Sequence, residues 1–203
     1  MVIKEREFKM RRNKSHIDPR ILRTRKLLRD AFVELLQEMD VDKITVNRLA
    51  ERATINRVTF YLHYRDIPDM MEKMAADMTE EIKSVLNHKL KDGKEVVNLL
   101  EHIAENADFY KIILTSKVVP IFRESLTVLL RDRIVSELDK KQGESPILKA
   151  GIKKDVLIWY NTSALIGLII SWLQNDMPYT PAFLADQFFL LQDRTILLKD
   201  EEK

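Results

Sequence analysis

Residues 44–64 read ITVNRLAERATINRVTFYLHY, and this stretch indicates how the first part of the chain folds. Thr45 is a good N-cap for a helix over 46–53, in which apolar residues recur three and four positions apart. Asn56 can cap a second short helix that runs from 57 to about 63. Two short helices joined by a turn of three or four residues are typical of a helix-turn-helix.

The sequence before this stretch predicts one more helix and a basic arm. Residues 1–18 are polar and basic, which favours a flexible arm. Asp18 followed by Pro19 is typical of the start of a helix. Its predicted apolar face is Leu28, Ala31, Phe32, Leu35 and Met39. Residues 1–66 carry 16 Lys and Arg against 10 Asp and Glu, a net charge of +6, whereas the whole chain carries +2. A basic first third favours nucleic acid as a partner.

The rest of the chain predicts a run of longer helices. Gly and Pro number only 4 and 6 in 203 residues, which favours helices over a strand-rich fold. Chain breaks are expected at 91–93 and 141–146. The later helices are predicted over 67–87, 94–105, 109–116 (after a restart at 106–108), 120–140, 148–174 and 182–192. The predicted fold class is all-α, with about nine helices.

The second short helix carries the chemistry of DNA recognition. Such a helix enters the major groove, where Arg57 can pair with the acceptor edge of guanine. The hydroxyls of Thr59 and Tyr61 suit phosphate oxygens or a thymine methyl contact. Thr45 points a helix N-terminus toward the DNA backbone. The candidate DNA contacts are Thr45, Arg48, Asn56, Arg57, Thr59, Tyr61, His63 and Arg65. The apolar positions expected to face inward are Val58, Phe60 and Leu62.

The run over 44–64 resembles the DNA-binding signature of the TetR family of transcriptional regulators. Residues 167–173 and 176–181 resemble the C-terminal domain of a subgroup that includes regulators of dihydroxyacetone metabolism. The resemblance implies a homodimer built on the last two long helices and a ligand cavity in each C-terminal domain. It also implies DNA contacts by Thr45, Arg57, Thr59, Tyr61 and His63.

Two positions depart from the family pattern. Thr54 stands where the family has Gly at a turn that favours a left-handed backbone, so we expect strain at this β-branched residue. Ile67-Pro68 replaces a common Lys-Glu pair, which removes a frequent phosphate contact.

Candidate ligand contacts in the C-terminal part are aromatic residues, methionines and one buried amide: Met74, Met78, Phe109, Phe122, Trp159, Tyr160 and Asn161. The methionines also suit an ordinary core. Asn161 lies within an apolar helix and needs a hydrogen-bond partner, which a ligand, water or a second subunit can supply. The chain has no Cys, and His88 and His102 lack a metal-ligand spacing, so neither a metal site nor a cofactor is predicted.

These observations predict a DNA-binding domain over 1–66 and a ligand-binding and dimerisation domain over 67–203. The predicted protein is a cytoplasmic, ligand-responsive regulator, a repressor that binds a palindromic operator as a homodimer. Its partners are double-stranded DNA and a small-molecule effector. Residues 156–173 are apolar enough to suggest a membrane span, but their polar residues favour a core helix. A coactivator that needs a second protein, a binder of DNA without sequence preference and a small helical enzyme remain alternatives.

Overall fold

The computed structural model describes residues 18–87, 94–115, 119–140, 148 and 151–192. Within these residues the chain forms nine α-helices, a short 3-10 turn and no strand, which confirms the all-α class. The arm over 1–17 and the chain breaks at 91–93 and 141–146 lie outside the described residues. The helices are α1 (Pro19–Glu38), α2 (Val46–Arg52), α3 (Arg57–Tyr61), α4 (Ile67–Asn87), α5 (Glu95–Glu105), α6 (Ala107–Thr115), α7 (Pro120–Lys140), α8 (Lys154–Gln174) and α9 (Pro181–Gln192).

The chain divides into two compact units, Met1–Asp66 and Ile67–Lys203. In the first unit α1 packs against α2, and α2 packs against α3. The Asp18 side chain caps α1 by accepting a hydrogen bond of 2.9 Å from the Arg20 amide, and Pro19 occupies the first helical position. The buried core of this unit is apolar: Leu28, Ala31, Phe32, Val33, Leu35, Ile44, Leu49, Ala50, Ala53, Phe60 and Tyr64.

The end of α2 confirms the expected left-handed turn. Thr54 has a φ of 54°. The Thr54 amide donates to the Glu51 carbonyl at 3.0 Å, and the Ile55 amide donates to the Ala50 carbonyl at 2.9 Å. This pair of bonds is the Schellman motif, in which the residue after the C-cap adopts the left-handed conformation. Thr54 therefore holds a conformation that a β-branched residue adopts only with strain.

Replacing Thr54 with glycine is expected to stabilise the first unit by about 0.5–1 kcal/mol. A left-handed L-residue costs about 1–2 kcal/mol, and the extra chain entropy of glycine offsets about half of that gain. Thermal denaturation of the purified protein measures the change. The matched variant Ala53→Gly changes a neighbouring residue with φ −72° and is expected to shift stability in the opposite direction. A loss of stability in Thr54→Gly would contradict the assignment of strain.

The six helices described in the second unit pack around one apolar core. Helix α4 contacts α5 and α7, α8 contacts α6 and α7, and α9 lies against α5. Five residues of α4 at helical spacing face this core: Met70, Met74, Met78, Ile82 and Leu86. The fully or almost fully buried residues contributed by the next helices include Leu99, Leu100, Ile103, Tyr110, Ile113, Phe122 and Leu126.

Helix α8 begins later than the apolar pattern predicts. The sequence predicts a helix from 148, but α8 starts at Lys154. Gly151 has a φ of 92° and its amide donates to the Leu148 carbonyl at 3.0 Å, while Lys153 is extended. A left-handed glycine followed by an extended residue ends one turn and starts a new helix. The prediction is therefore wrong over 151–153; residue 148 is helical, and residues 149–150 lie outside the described residues.

Among the described residues, α8 is the one helix long and apolar enough to cross a membrane by length and composition. Half of its most apolar stretch is buried inside the protein. Nine of its residues, from Leu157 to Leu173, are buried against the other helices of the unit. Packing in a protein core therefore accounts for the apolar character of this side of the helix.

Candidate nucleic-acid interface and cavity

The start of each helix in the α2–α3 pair is fixed by a side-chain cap. The Thr45 hydroxyl accepts a hydrogen bond of 3.3 Å from the Arg48 amide. The Asn56 side chain accepts one of 2.8 Å from the Val58 amide. Both caps satisfy amides that the helix itself leaves unpaired, so both helix starts are set by local sequence.

Two ion pairs link α2 to α1. The Arg52 guanidinium donates to Glu38 at 2.8 Å and to Glu34 at 3.3 Å. Its hydrogen bond to Glu38 lowers the pKa of that carboxyl and raises the pKa of the guanidinium. The Arg52 guanidinium thus pairs with carboxylates of its own unit, and Arg52 is not a candidate for contact with a ligand.

The core face of α3 is narrower than the sequence pattern predicts. Phe60 is fully buried, and Tyr64, one turn later, is buried beside it with ring centroids 5.6 Å apart. Val58 and Leu62 were expected to face inward, but their exposed fractions are 66% and 77%. That prediction is wrong because residues two apart cannot share one face of a helix with 3.6 residues per turn. Only the prediction for Phe60 is confirmed.

The structure places most of the predicted DNA contacts on the surface of the first unit. Thr45, Arg48, Asn56, Arg57, Tyr61 and Arg65 are exposed, whereas Thr59 and His63 are half-buried. Arg57 and Tyr61 are brought together: the guanidinium donates to the Tyr61 hydroxyl at 3.1 Å and lies 5.4 Å from the ring centroid. Arg48 donates to the Lys43 carbonyl at 2.9 Å, so its guanidinium also holds the turn before α2.

The second unit contains a cavity of about 440 Å³, in the range typical of small-molecule sites. Its wall is mainly apolar, with polar groups from four helices. The lining residues are Leu86, Glu95, Val96, Leu99, Leu130, Arg133, Ile134, Glu137, Leu138, Asn161, Leu165, Phe188, Phe189 and Gln192.

The polar part of the cavity wall combines an ion-pair network with an amide. Arg133 donates to both carboxylate oxygens of Glu95 and lies 3.3 Å from Glu137. The Asn161 side-chain oxygen is buried, and no hydrogen-bond donor among the described residues reaches it. A buried polar atom without a partner is costly, so it is a natural point for a ligand or a water molecule to bind.

Of the seven predicted ligand contacts, Asn161 lines this cavity. Met74, Met78 and Phe122 are buried in the core outside its wall, and Phe109 is half-buried at 6.3 Å from Phe122. Trp159 and Tyr160 are 61% and 58% exposed on the outer side of α8. Sequence reasoning missed Arg133 and Glu95, because 38 positions separate them and nothing in the local pattern indicates that they meet.

The outer sides of α8 and α9 are apolar and exposed. On α8 the exposed stripe contains Val156, Trp159, Tyr160, Ser163, Gly167 and Ser171. On α9 the exposed apolar residues are Phe183, Leu190 and Leu191, together with Phe189, which also lines the cavity. Small residues at 163, 167 and 171 leave room for another helix to approach closely. Exposed apolar surface of this extent is typical of a protein–protein contact.

Comparison with known proteins identifies the class. Residues 94–194, about half of the chain, match the TetR-type family described as "Transcriptional regulator C-terminal region". Two helices with the length, caps and turn of a helix-turn-helix precede this region. The chain thus combines a helix pair of the helix-turn-helix type with a C-terminal region of the transcriptional-regulator type. Residues 94–194 belong to the TetR family.

Its relatives include two bacterial regulators of known sequence. The chain is 24% identical over 191 residues to the uncharacterised regulator YxbF of Bacillus subtilis, covering 90% of the chain and 48% of that protein. The chain therefore spans about half the length of this relative. It is 24% identical over 146 residues to DhaS, the dhaKLM operon transcriptional activator of Lactococcus lactis, covering 71% and 76% of the two proteins.

A solved structure shows the same fold. The TetR transcriptional regulator from Streptococcus agalactiae 2603V superposes with a TM-score of 0.65 at 24% identity, covering 86% of this chain and 96% of that one.

Proposed function

We propose that this regulator binds a palindromic operator as a homodimer and represses transcription until a small molecule releases it. The observation that carries the proposal is the capped α2–α3 pair, whose second helix buries Phe60 and exposes Arg57 and Tyr61. A helix held on one side and exposed on the other can enter a major groove without unfolding.

The proposed DNA contacts divide by role. Thr45 and Arg48 lie at the start of α2, where helix amides and positive charge favour a phosphate. Arg57 and Tyr61 form a preassembled pair on α3, suited to a base edge or a phosphate. The further contacts we propose are Asn56, Thr59, His63 and Arg65.

The two-fold symmetry of a homodimer matches the symmetry of a palindromic operator. We propose that the exposed apolar stripes of α8 and α9 meet the same stripes of a second copy. Two first units would then read half-sites about one helical turn, 34–36 Å, apart. Each half-site binds weakly alone, and linkage of the two gives the affinity.

The cavity provides a means of regulation. We propose that an effector with an apolar body and a hydrogen-bonding group enters it and bonds to Asn161. Helices α5 and α9 both line the cavity and pack against each other, and α9 carries part of the proposed dimer face. A ligand that favours one arrangement of these helices would shift the spacing of the two DNA-binding units. We place this function in the cytoplasm.

Replacing Asn161 with leucine is expected to raise stability by about 1 kcal/mol and to abolish the effector response. An unpaired buried polar group costs about 1–3 kcal/mol, which an apolar side chain of similar volume removes. Thermal denaturation without ligand measures the first effect. The second effect is measured with compounds that release the wild-type protein from DNA. None of these compounds should release the variant. Leu165→Ala, at another cavity position, should instead lose about 2–5 kcal/mol. Destabilisation of Asn161→Leu would show that the amide is already satisfied.

Selection of duplexes from a random pool by the purified protein tests the function as a whole. We expect enrichment of an inverted repeat. Failure to enrich any sequence, with and without added cell extract, would contradict a sequence-reading regulator. A reporter gene downstream of the selected operator then gives the sign of regulation. Because DhaS is described as an activator, a rise in reporter expression with the protein would favour an activator or a coactivator instead.

A further inference from the structure

The outermost ridge of α3 is apolar. Val58 and Leu62 lie one turn apart and are 66% and 77% exposed. With 3.6 residues per turn, their mean direction is about 160° away from that of Phe60 and Tyr64, the buried pair. The ridge therefore lies almost directly opposite the core of the first unit. An exposed apolar pair of this kind contributes nothing to the packing of that unit.

Polar side chains flank the ridge on both sides. Arg57 and Tyr61 lie on one side by the same helical geometry, and Thr59 and His63 lie on the other. The sequence contains no acidic residue between Arg52 and Arg65. The surface is thus a narrow apolar line between polar side chains, with the positive charge of Arg57 and no nearby acidic residue in the sequence, which complements a groove lined by phosphates rather than an apolar protein surface.

We propose that Val58 and Leu62 read thymine through its 5-methyl group at the centre of each half-site. This inference rests on the proposed function, since it requires α3 to lie in the major groove. The part of the helix farthest from the core then meets the floor of the groove, where the thymine methyl is the apolar group that base edges present. Arg57, whose guanidinium lies on the Tyr61 ring, contacts the edge of the groove beside the ridge.

Removal of single methyl groups from the selected operator tests this assignment. Each thymine is replaced in turn by deoxyuridine, which differs only by the methyl group, and the dissociation constant is measured by fluorescence anisotropy. For the wild-type protein we expect at least one central position to lose about fourfold in affinity per methyl, and about 16-fold when both symmetry-related thymines are replaced.

Val58→Ala and Leu62→Ala each remove one side chain that is proposed to contact a thymine methyl. When that thymine is replaced by deoxyuridine, the corresponding variant should bind both duplexes with equal affinity. Both side chains are exposed, so both variants keep the fold. Leu22→Ala, an exposed apolar residue of α1, is the matched control and should keep the full discrimination.

Three results would overturn the proposal. The first is equal affinity of the wild-type protein for thymine and deoxyuridine at every position, although it selects an operator. The second is discrimination that survives in both ridge variants. The third is a change of oligomeric state in Val58→Ala without DNA, together with no discrimination, which would assign the ridge to a protein contact. A chain that selects no duplex overturns the proposed function itself, and the inference with it.

Discussion

Gly167→Glu is expected to convert the proposed dimer into a monomer that binds the proposed operator about 100- to 10,000-fold more weakly. Gly167 lies at the middle of the exposed stripe of α8, with Ser163 and Ser171 one turn to either side. A carboxylate placed there in each subunit would be desolvated beside its own symmetry mate. The dimer loses its contact, and each half-site is then bound without help from the other.

The subunit itself should tolerate this change. A Cβ built at Gly167 meets no atom of the described residues within 4 Å. Glutamate is also a better helix former than glycine, by about 0.5–1 kcal/mol within a helix. Loss of DNA affinity would therefore come from the dimer contact and not from unfolding.

Analytical ultracentrifugation and operator titration measure both effects. The control is Val128→Glu, which places the same charge at an exposed apolar position of α7 and should leave the dimer and its affinity unchanged. A dimeric Gly167→Glu protein with wild-type affinity would show that the subunits meet elsewhere.

Replacing Phe60 with alanine is expected to lower the stability of the first unit by about 3–5 kcal/mol and to abolish operator binding. Phe60 is fully buried and contacts the rings of Tyr61 and Tyr64 at 5.4 and 5.6 Å between centroids. A unit of this size has only about 3–10 kcal/mol of stability to lose. Most molecules of the variant would therefore lack a folded α3.

Hydrogen exchange at the amides of α2 and α3 measures this local loss. Amides of the second unit should keep their protection, because the two units have separate cores. Leu62→Ala changes a neighbouring residue that is 77% exposed and should keep stability within about 0.5 kcal/mol. Protected α3 amides in Phe60→Ala would contradict the central role of this side chain.

The sequence predicts helix ends well where a local signal sets them. Asp18 with Pro19, Thr45 and Asn56 each cap a helix as expected. The strain at Thr54 was likewise predicted, because the family that this stretch resembles has Gly at this turn position. These features involve bonds between residues that are close in the chain.

The direction of side chains on α3 was predicted only in part. An apolar residue at every second position reads as one face, but in a helix Val58 and Leu62 lie opposite Phe60. The five-residue helix is too short for a periodic pattern to decide. Val58 and Leu62, on the outer side of this helix, remain exposed in the unit. Only the structure shows this exposure.

Most of the cavity's lining could not be predicted, because residues distant in the chain form it. Asn161 was singled out as a buried amide in need of a partner, whereas Arg133 and Glu95 have no local signature of their interaction. Trp159 and Tyr160 look like core residues by type, yet they lie on the outer side of α8. A helix that packs on one side and meets a partner on the other is apolar all round, and its sequence does not separate the two sides.

The ratio of affinities for the selected operator and for a scrambled duplex of the same length and composition tests whether the protein reads base sequence through α3. Both dissociation constants are measured at one physiological ionic strength, because phosphate contacts alone make binding depend on salt. A dimer that reads bases through α3 should prefer the operator by about 1,000-fold or more. A ratio near one would show that the basic surface binds DNA without reading its sequence, and would contradict the account.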